Sequence, residues 1–429
     1  MLQTSILKIS PGKTVSTAKF FRAALLLISL FLVSISAAKA DIIADWNAIG
    51  VTVIVTNAQR PPAASYIDLT YMHIAIYDAV NAIDGRYKPF AIKLDNVPSD
   101  ASKEAAAAAA AYNILKNLFP SQQSFLDDAY ARSLATIADG AGKAHGISVG
   151  EQVATRFLAL RTGDGRNADV PYVAGSGPGV WQPTPPALAP TPLTPWVAKM
   201  KPFVMREPSQ FRAEGPPDLA SKRWAKDSNE TKSLGSAAST TRTADQTELA
   251  RFYTEHGGPQ YGRLSRDIAA AQGLSLADSA RFFAQVYVTC SDAWIAGWDS
   301  KYQFNFWRPV TAIRAADTDG NPATDVDSGW TPVATTPNHP EYPSAHGFLT
   351  ASYIEAVRRF FGTKRLTFTV TSTVTGTSRT FHNTDDLIDE VIEARIWGGM
   401  HYRTSMLDGV EIGKSVAKWV AKHSFKPAN

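Results

Sequence analysis

The amino-acid sequence predicts a mainly α-helical protein, a helical bundle that carries one small β-hairpin. Apolar residues recur at three- to four-residue spacing over most of the chain, and seven consecutive alanines favour helix further. Residues 366–374 (LTFTVTSTV) alternate as a strand does and precede Thr375-Gly376, which indicates a turn. With 45% hydrophobic and 19% charged residues in a chain of 429, the composition excludes disorder, collagen and a coiled coil for the whole chain.

The start of the chain predicts a secretory signal peptide. Residues 1–40 contain five basic and no acidic residues, residues 23–36 are an apolar run, and Ala38-Lys39-Ala40 fits a small-x-small cleavage site. An N-terminal membrane anchor is the alternative, although the run is shorter than the ~20 residues that span a bilayer. The segment has no Arg-Arg pair, which favours the general secretory route and a periplasmic or secreted protein.

Removal of this segment changes the charge of the protein. Cleavage after Ala40 would lower the formal net charge from +4 to −1, because five basic residues leave with the peptide. A nucleic-acid partner then loses its main support, and we expect no stable membrane span after cleavage. The single cysteine, Cys290, excludes an internal disulfide and a cysteine-based zinc or iron–sulfur site. The sequence leaves homo-oligomerisation open.

Residues 41–170 are an N-terminal helical region. The spacing of apolar residues and the alanine run predict helices at 65–85, 103–118, 121–134 and 150–160. The first of these ends at a glycine, Gly85, which is typical of helix C-termini. His73, Asp78 and His145 lie in or beside these helices, and we interpret them as structural or surface residues.

Residues 171–243 are a proline-rich strap and linker. The stretch 178–203 (PGVWQPTPPALAPTPLTPWVAKMKPF) cannot be a helix or a central strand, because proline lacks a backbone donor and restricts the residue before it. Trp181 and Trp196 are the predicted anchors of this strap. Residues 233–243 are a second loop, rich in serine and threonine.

Residues 244–429 are the third region, where we place the catalytic helices. Ser275 followed by Asp278 is a helix-start signature, and helix is predicted again from residue 383 to the C-terminus. Between these points an apolar stripe runs at three- to four-residue spacing through Phe283, Tyr287, Cys290, Trp294 and Trp298.

The first segment with chemical character is 301–309, KYQFNFWRP. Lys301 lies eleven residues after Cys290, close to three helical turns, which places it on the buried stripe. A buried ammonium needs an anion, because an unpaired buried charge is very costly. An ordinary internal salt bridge would meet that need as well as a bound ligand.

The second segment is 339–347, HPEYPSAHG, which precedes a helical stripe closed by Gly362. Ser344 therefore lies at a helix N-terminus, where free N–H groups and the helix dipole attract an anion. Its hydroxyl has two alternative roles, to cap the helix or to bind the anion. His346, in the first turn, would face the same anion as a proton donor.

The third segment contains Arg395 and His401. They are six residues apart, hence about 240° apart around a straight helix. They converge only if the chain bends between them, and Gly398-Gly399 supplies the bend. Together the three segments offer three cations, a helix N-terminus and two histidines, which suits a tetrahedral or trigonal-bipyramidal oxyanion.

These motifs resemble a known superfamily. Lys-x6-Arg-Pro, Pro-Ser-x-His and Arg-x5-His occur here in the order of the type-2 phosphatidic acid phosphatase and vanadium haloperoxidase superfamily. The stretches AIYDAVNAI, PGVWQPTPP and TPNHPEYPSAH are similar to large secreted bacterial haloperoxidase-like members. The resemblance implies a helical bundle of the vanadium haloperoxidase and acid phosphatase type.

The resemblance also implies a role for each site residue. Four side chains and a backbone N–H near Ala345 would hold the equatorial oxygens of the oxyanion. His346 would be the acid–base group, and His401 either the axial ligand of vanadium or the nucleophile that forms a phosphohistidine. The side chains that would hold the equatorial oxygens are Lys301, Arg308, Ser344 and Arg395.

Three functions remain open at this point. A haloperoxidase would use vanadate as cofactor and oxidise halide with hydrogen peroxide to hypohalous acid. A phosphomonoesterase would hydrolyse a phosphate ester in the same pocket without a cofactor. An oxyanion-binding protein would bind vanadate or phosphate without turnover.

The sequence departs from the superfamily pattern at the third motif. The usual serine before the arginine and aspartate four residues after the histidine are here Ala394 and Ser405. The aspartate normally orients the histidine ring, so its absence leaves His401 without a predicted orienting partner. His339, seven residues before His346, occupies a position where histidine accompanies bromide oxidation in the superfamily, and so favours bromide.

Two further patterns lie near these motifs. Asp317, Asp319 and Asn321, followed by two more aspartates, suggest a calcium loop, but Pro322 stands where an EF-hand needs glycine. A turn-rich loop is the favoured interpretation, with a calcium site as the alternative. The aromatic residues of the first segment are predicted to line the pocket: Phe304, Phe306 and Trp307.

Overall fold

The computed structural model describes residues 41–428, which form one compact unit. The predicted signal peptide lies outside the described residues. Thirteen α-helices, five short 3-10 or π-helical segments and one two-stranded sheet make up the regular structure of the described part, which confirms the predicted mainly α fold with one hairpin. The helices are α1 Ile42–Val51, α2 Pro62–Asp84, α3 Lys103–Leu118, α4 Gln123–Ala135, α5 Ala141–Leu160, α6 Lys222–Gly235, α7 Ala244–Phe252, α8 Gly257–Ala271, α9 Leu276–Phe304, α10 Pro309–Arg314, α11 Ala345–Phe361, α12 Thr384–Trp397 and α13 Arg403–His423.

Small residues bring the N-terminal helices close together. The alanines of α3 are fully buried and face α5, where Gly146 and Gly150 lie against the α3 backbone. A Cβ atom on Gly146 would come within 2.3 Å of the Ser102 carbonyl oxygen, so this contact requires glycine. The predicted alanine-rich helix therefore serves as a close-packing surface.

The long helix α9 is the central element of the bundle. It begins at the predicted N-cap, since the Ser275 side chain accepts from the Asp278 N–H, and it ends at Asn305 in the left-handed conformation with φ +49°. Almost every residue in its middle is buried. In its centre, Asp292 accepts three backbone N–H groups from residues 203–205 at 2.7–2.8 Å, which ties the strap to the core.

The strap contains more regular structure than the sequence indicates. Trp181 and Trp196 are buried, as expected of anchors. Helix α6 follows them, and the sequence analysis did not predict it. Its sequence is mostly polar, so the apolar periodicity that would predict a helix is weak. Its inner face nevertheless carries Trp224 and Thr231, which are fully buried.

The C-terminal elements place the N-terminus of α11 inside the molecule. Helices α11 and α13 approach each other closely. Glycine at position 413 permits this approach, since a Cβ atom there would lie 2.5 Å from the Phe348 carbonyl oxygen. The hairpin pairs β1 Phe368–Thr371 with β2 Ser378–Phe381 in antiparallel register, Phe368 opposite Phe381. Among the described helices, none is long and apolar enough to cross a membrane.

Candidate functional site

The structure brings the three sequence segments together around the start of α11. Arg308, at the start of α10, donates through Nε to the His339 carbonyl at 2.9 Å and through Nη1 to the Met400 carbonyl at 3.0 Å. Lys301 donates to the carbonyls of Pro340 and Glu341 at 2.9 and 2.7 Å. The cations of the first segment therefore hold the second and third segments in place.

Lys301 is fully buried near the end of α9. Burial, with repulsion from Arg308, holds the pKa of its ammonium well below the usual range. Within the described residues Lys301 forms no ion pair, so the alternative of an ordinary internal salt bridge is wrong. Both of its hydrogen bonds are to neutral carbonyls, and its Nζ lies 5.7 Å from the centroid of the Trp298 ring, so an anion bound beside it would stabilise the charged form.

Arg308 and Arg395 are buried cations of the same kind. Arg395 donates through Nη1 to the Tyr253 carbonyl at 2.9 Å, and its Nε–H is buried without a partner among the described residues. Burial lowers the pKa of Arg308 to about 10, and burial with repulsion from Arg308 lowers that of Arg395 to about 9. Both remain charged at neutral pH, side by side in a low-dielectric interior.

Ser344 is the N-cap residue of α11 but does not cap the helix with its side chain. Its Oγ atom is buried and has no hydrogen-bond partner in the described part of the chain. Its backbone N–H donates to the Ser405 carbonyl at 3.0 Å. The capping alternative is therefore wrong, and the hydroxyl remains available to a ligand. Ala345, the first residue of α11, presents one of the unpaired N–H groups of the helix N-terminus.

The bend between Arg395 and His401 occurs where the sequence predicts it. Helix α12 ends at Trp397, and Gly399 adopts φ +74°. A Cβ atom on Gly399 would lie 2.5 Å from the Gly235 carbonyl oxygen, so only glycine fits this turn. The bend turns His401 back to the same cavity that Arg395 lines.

The three predicted histidines line that cavity in different environments. His401 is almost fully buried, and burial together with Arg308 holds its pKa well below the usual range. The pKa of His346 is also lowered, by burial and then by Arg395. His339 contacts Arg308 Nη2 through Nδ1 at 3.0 Å, and burial and the same arginine lower its pKa. All three imidazoles are neutral at neutral pH.

Glu341 is a site residue that the sequence analysis missed. Its side chain is fully buried, and Oε1 lies 2.7 Å from His401 Nδ1. Burial raises the pKa of this carboxyl to about 7, while Lys301 and Arg308 act in the opposite direction. Two features of the sequence could have indicated its role. A glutamate stands shortly before Ser344, and the aspartate expected after His401 is missing, so the histidine needs a carboxylate from elsewhere.

The donor set fits an oxyanion. Three buried cations face a single carboxylate, Glu341, so the site carries excess positive charge. Two donors are without a partner in the described structure: Ser344 Oγ, at the start of α11, and Arg395 Nε, on a residue that lines one cavity with Ala345 and His346. In the described residues, no group of three His, Cys, Asp or Glu side chains is arranged to hold a metal ion directly. A tetrahedral or trigonal-bipyramidal anion such as vanadate or phosphate satisfies these donors.

A cavity of about 560 Å³ is lined by Arg395, Ala345 and the three histidines of this site. Its walls are mostly apolar and include Trp294, Trp298 and Leu349. The prediction that the aromatic residues of the first segment line the pocket was wrong. Phe304, Phe306 and Trp307 do not line this cavity and instead pack around Trp224, Tyr342 and Tyr402.

The aspartate-rich loop is organised by its own hydrogen bonds. Asp319 accepts from the Thr324 hydroxyl at 2.8 Å, from the Asn321 N–H at 2.7 Å and from Trp224 Nε1 at 2.8 Å. Its oxygens are thus already used within the fold. The turn-rich interpretation agrees with these contacts, and the calcium alternative has no cluster of ligands in the part of the chain that the structure describes.

Comparison with known proteins identifies the fold and the motifs. Residues 281–429 match the family model of the VCPO second helical-bundle domain. Vanadium chloroperoxidase of Curvularia inaequalis is 34% identical over 105 residues, which are 22% of this chain and 16% of that protein. These matches support the resemblance to the vanadium haloperoxidase superfamily, most directly for residues 281–429. Its match spans only about a sixth of the curated chloroperoxidase.

Solved structures show that the likeness of fold extends over most of the chain. A bacterial vanadium-dependent iodoperoxidase superposes with a TM-score of 0.78 at 23% identity, covering 89% of this chain and 96% of that one. A holo-type bacterial vanadium-dependent chloroperoxidase superposes with a TM-score of 0.70 at 20% identity, covering 86% and 93%. At these identities the likeness concerns the fold, and it confirms the predicted vanadium haloperoxidase type of bundle.

Proposed function

We propose that this protein is a vanadate-dependent haloperoxidase that oxidises halide, with bromide favoured, by means of hydrogen peroxide. One observation carries the proposal. Three buried cations without a carboxylate ion pair surround the N-terminus of α11, where Ser344 Oγ lacks a partner, beside a histidine whose ring a carboxylate holds. The residues that assemble this arrangement are Lys301, Arg308, Arg395 and the His401–Glu341 pair.

Each side chain has a defined task in this proposal. The oxygens of vanadate would be bound, and their charge stabilised, by Lys301, Arg308, Arg395 and Ser344 together with the N–H near Ala345. His401 would coordinate through Nε2, because Nδ1 is engaged by Glu341. Bound vanadate would supply the Lewis acidity that activates hydrogen peroxide toward halide.

His346 is the proposed acid–base group. It lies in the first turn of α11 on the cavity wall, and burial keeps its imidazole neutral. A neutral imidazole can accept the proton that hydrogen peroxide releases on binding and return it to the product. Its neighbour Arg395 favours the neutral form and so keeps the base ready.

His339 supports the choice of bromide. Its ring lies on the cavity wall, 4.9 Å from the Trp298 ring, and its Nδ1 contacts Arg308 Nη2. It therefore lies where a halide approaching the oxyanion would pass. A histidine at this place is the feature on which the bromide proposal depends.

A phosphomonoesterase is the second candidate. The same donors fit phosphate, and a histidine held at Nδ1 by a carboxylate is suited to attack phosphorus through Nε2 and form a phosphohistidine. The third candidate, an oxyanion-binding protein without turnover, rested on the missing aspartate after His401. Glu341 supplies a carboxylate to that histidine, which removes this support.

A paired assay on the exported form of the protein, purified without phosphate, tests the proposal. Oxidation of bromide, iodide and chloride with hydrogen peroxide would be measured with and without orthovanadate, beside hydrolysis of p-nitrophenyl phosphate. We expect vanadate-dependent bromide oxidation. Ester hydrolysis inhibited by vanadate, without halide oxidation, would make the protein a phosphatase, and tight anion binding without either activity would make it a binding protein.

His401→Ala is the first variant to measure. Loss of the His401 imidazole should abolish halide oxidation or ester hydrolysis, whichever the wild type performs. His145→Ala is the matched control, because His145 is exposed and pairs with Asp100 at the surface. Full bromide oxidation by His401→Ala would contradict the site assignment.

Export through the general secretory route is also proposed. It rests on residues 1–40 alone, with their basic start, apolar run and Ala38-Lys39-Ala40. N-terminal sequencing of the protein recovered from the periplasm or medium should begin at Asp41. Recovery of the intact chain in the membrane fraction would favour the anchor instead.

A further inference from the structure

Glu341 holds the His401 ring from a position outside the third motif. The Oε1 to Nδ1 distance is 2.7 Å, and both side chains are shielded from solvent. The same Oε1 also accepts the N–H of Tyr402, the residue after the histidine, at 3.3 Å. One carboxylate oxygen therefore holds both the ring and the backbone beside it.

Ser405 stands four residues after His401, where the superfamily pattern has aspartate. Ser405 and Glu341 line the same narrow cleft, and a side-chain hydrogen bond from Ser405 acts to lower the pKa of the Glu341 carboxyl, against the larger effect of burial. The Ser405 carbonyl accepts the Ser344 N–H at 3.0 Å, so the start of α13 and the segment before α11 are joined. Ser405 and Glu341 thus lie on one cleft together with Tyr402, the residue that follows His401.

We propose that Glu341 is the positioning residue of this site, a carboxylate that takes the place of the missing aspartate at Ser405 from another segment. A neutral imidazole has one N–H, and a carboxylate acceptor at Nδ1 places it there. The Nε2 lone pair then faces the oxyanion as ligand or nucleophile. The small, uncharged side chain of Ser405 is consistent with this arrangement, because an aspartate there would place a second carboxylate beside that of Glu341.

Relocation of the carboxylate tests this inference. The dissociation constant for orthovanadate would be measured by isothermal titration calorimetry for the wild type, Glu341→Gln, Glu341→Ala and Glu341→Ala/Ser405→Asp. We expect Glu341→Ala to weaken binding roughly ten- to hundredfold, as loss of a supporting partner does. Glu341→Gln should be intermediate, and Ser405→Asp should restore most of the affinity in the double variant.

Controls separate positioning from folding. Glu355→Gln removes another buried carboxylate, one that pairs with Arg358 and Arg359 far from the site, and should leave vanadate binding unchanged. Thermal unfolding of each variant verifies the fold. Wild-type affinity in Glu341→Gln, or no restoration by Ser405→Asp in a folded double variant, would overturn the inference.

This inference rests on the proposed function in one respect only: it assumes that an oxyanion binds beside His401. Binding constants do not require turnover. A wild-type protein that binds vanadate but oxidises no halide would refute the haloperoxidase proposal and leave the comparison of variants valid.

The cavity in front of the site supports a second, independent inference. Its volume of about 560 Å³ lies within the usual range for pockets that enclose small organic molecules. Trp294 and Trp298 form an edge-to-face pair with ring centroids 4.7 Å apart, and Trp298 also contacts the His339 ring. Leu349 and Ala334 add to this apolar wall. Halide and hydrogen peroxide need neither this volume nor this surface.

We infer that the cavity binds the organic acceptor, an electron-rich aromatic molecule of one or two rings. Flat aromatic faces pack well against indole rings, and electron-rich carbon is what an electrophilic halogen attacks. In the transfer step the carbon–halogen bond forms and the oxygen–halogen bond of hypohalous acid breaks. The ring proton and the departing hydroxide leave as water.

Direct binding of 1-naphthol tests this inference without turnover. Isothermal titration calorimetry should show one saturable site, and the fluorescence of the cavity tryptophans should be quenched. Thr335 is exposed at the edge of the cavity, so Thr335→Trp should narrow the entrance and weaken binding at least tenfold. Thr240→Trp, at an exposed threonine of another loop, is the matched control and should bind as the wild type does.

The saturated analogue decahydro-1-naphthol tests the chemical class. We expect it to bind more weakly than 1-naphthol, because it cannot lie flat against the indole rings. Equal binding of the two compounds, no saturable binding of 1-naphthol, or unchanged binding in Thr335→Trp would overturn the inference. Each result is independent of whether the protein oxidises halide.

Discussion

At the scale of single residues, the candidate site depends on atoms that the fold leaves without partners. Ser344 Oγ and Arg395 Nε are buried donors with no acceptor in the described structure, and the hydrogen bonds of Lys301 go to neutral carbonyls. Buried polar atoms in folded proteins are normally hydrogen-bonded. Such atoms in the candidate site indicate a ligand, and the surrounding positive charge indicates that the ligand is an anion.

Ser344→Ala separates anion binding from helix capping. Because the hydroxyl does not cap α11, its removal should change the free energy of unfolding by no more than ~0.5 kcal/mol. Affinity for vanadate should fall roughly ten- to hundredfold, the value of a hydrogen bond to a charged group. Calorimetry and urea unfolding measure the two effects.

Ser102→Ala is the matched control for this variant. The Ser102 side chain does cap α3, accepting the Ala105 N–H at 3.1 Å. Its loss should therefore cost ~1 kcal/mol of stability and leave anion binding unchanged. A large loss of stability in Ser344→Ala with unchanged affinity would show that the hydroxyl acts in folding instead.

His339→Ala should affect halide oxidation and spare the anion. Arg308 would lose its contact with the imidazole but keep the one with the His339 carbonyl, which the substitution does not remove. We expect kcat/KM for bromide to fall roughly tenfold, about 1.4 kcal/mol of transition-state stabilisation. Phosphate and vanadate affinity should stay near the wild-type value. Unchanged bromide kinetics would remove His339 from the halide path.

At the scale of elements, the site depends on how closely helices approach each other. Helix α11 lies against α13 through glycines, and this contact sets the depth of the α11 N-terminus that carries Ser344. The same approach brings the Ser405 carbonyl to the Ser344 N–H. The packing of α11 against α13 therefore positions the donors at the N-terminus of α11.

Gly413→Ala should weaken this helix pair. The new Cβ atom would lie 2.5 Å from the Phe348 carbonyl oxygen and 2.8 Å from the Ser352 nitrogen, so the helices must separate. We expect a loss of about 1–3 kcal/mol in the free energy of unfolding, despite the better helix propensity of alanine. Ser415→Ala, at a partly exposed position of the same helix, is the control, and equal stability of the two variants would contradict this packing account.

At the scale of the whole molecule, buried carboxylates tie long loops to the helices. Asp78 on α2 accepts three N–H groups from residues 90–92, and Asp292 on α9 accepts three from residues 203–205. Burial nevertheless raises the pKa of each carboxyl to about 6, against the effect of these hydrogen bonds. The global fold thus contains two acids that bind protons more tightly when folded.

These acids give stability a defined pH dependence. Each acid has a folded-state pKa of about 6, above the unfolded value of 3.8, so its protonation stabilises the folded state. This contribution to the free energy of unfolding is complete below pH ~4 and is lost as the pH rises through about 6. The stability difference between the wild type and Asp292→Asn should therefore shrink as the pH rises from 4 to 7. Urea unfolding at each pH measures it, with Asp389→Asn at an exposed position as control. A difference that grows with pH would show that the hydrogen bonds outweigh burial.

Local patterns predicted much of this molecule. The spacing of apolar residues placed α2, α3 and α9, and Ser275 and Gly85 marked helix ends correctly, because caps and periodicity act within a few residues. The same reasoning missed α6, whose polar sequence carries a weak signal of its own. It also placed Phe306 and Trp307 in the wrong cluster, since which face of a segment meets the pocket is not a local property.

By itself, the sequence determined the helical class, the hairpin, the three motifs and the bend at Gly398-Gly399, all of which depend on residues close together in the chain. Only the tertiary structure decided that Ser344 leaves its hydroxyl free, that Lys301 lacks an ion pair and that Glu341 replaces the aspartate absent at Ser405. It also created the cavity between α9, α11 and the strap. These features join residues tens to hundreds of positions apart, and such contacts form only when the helices pack.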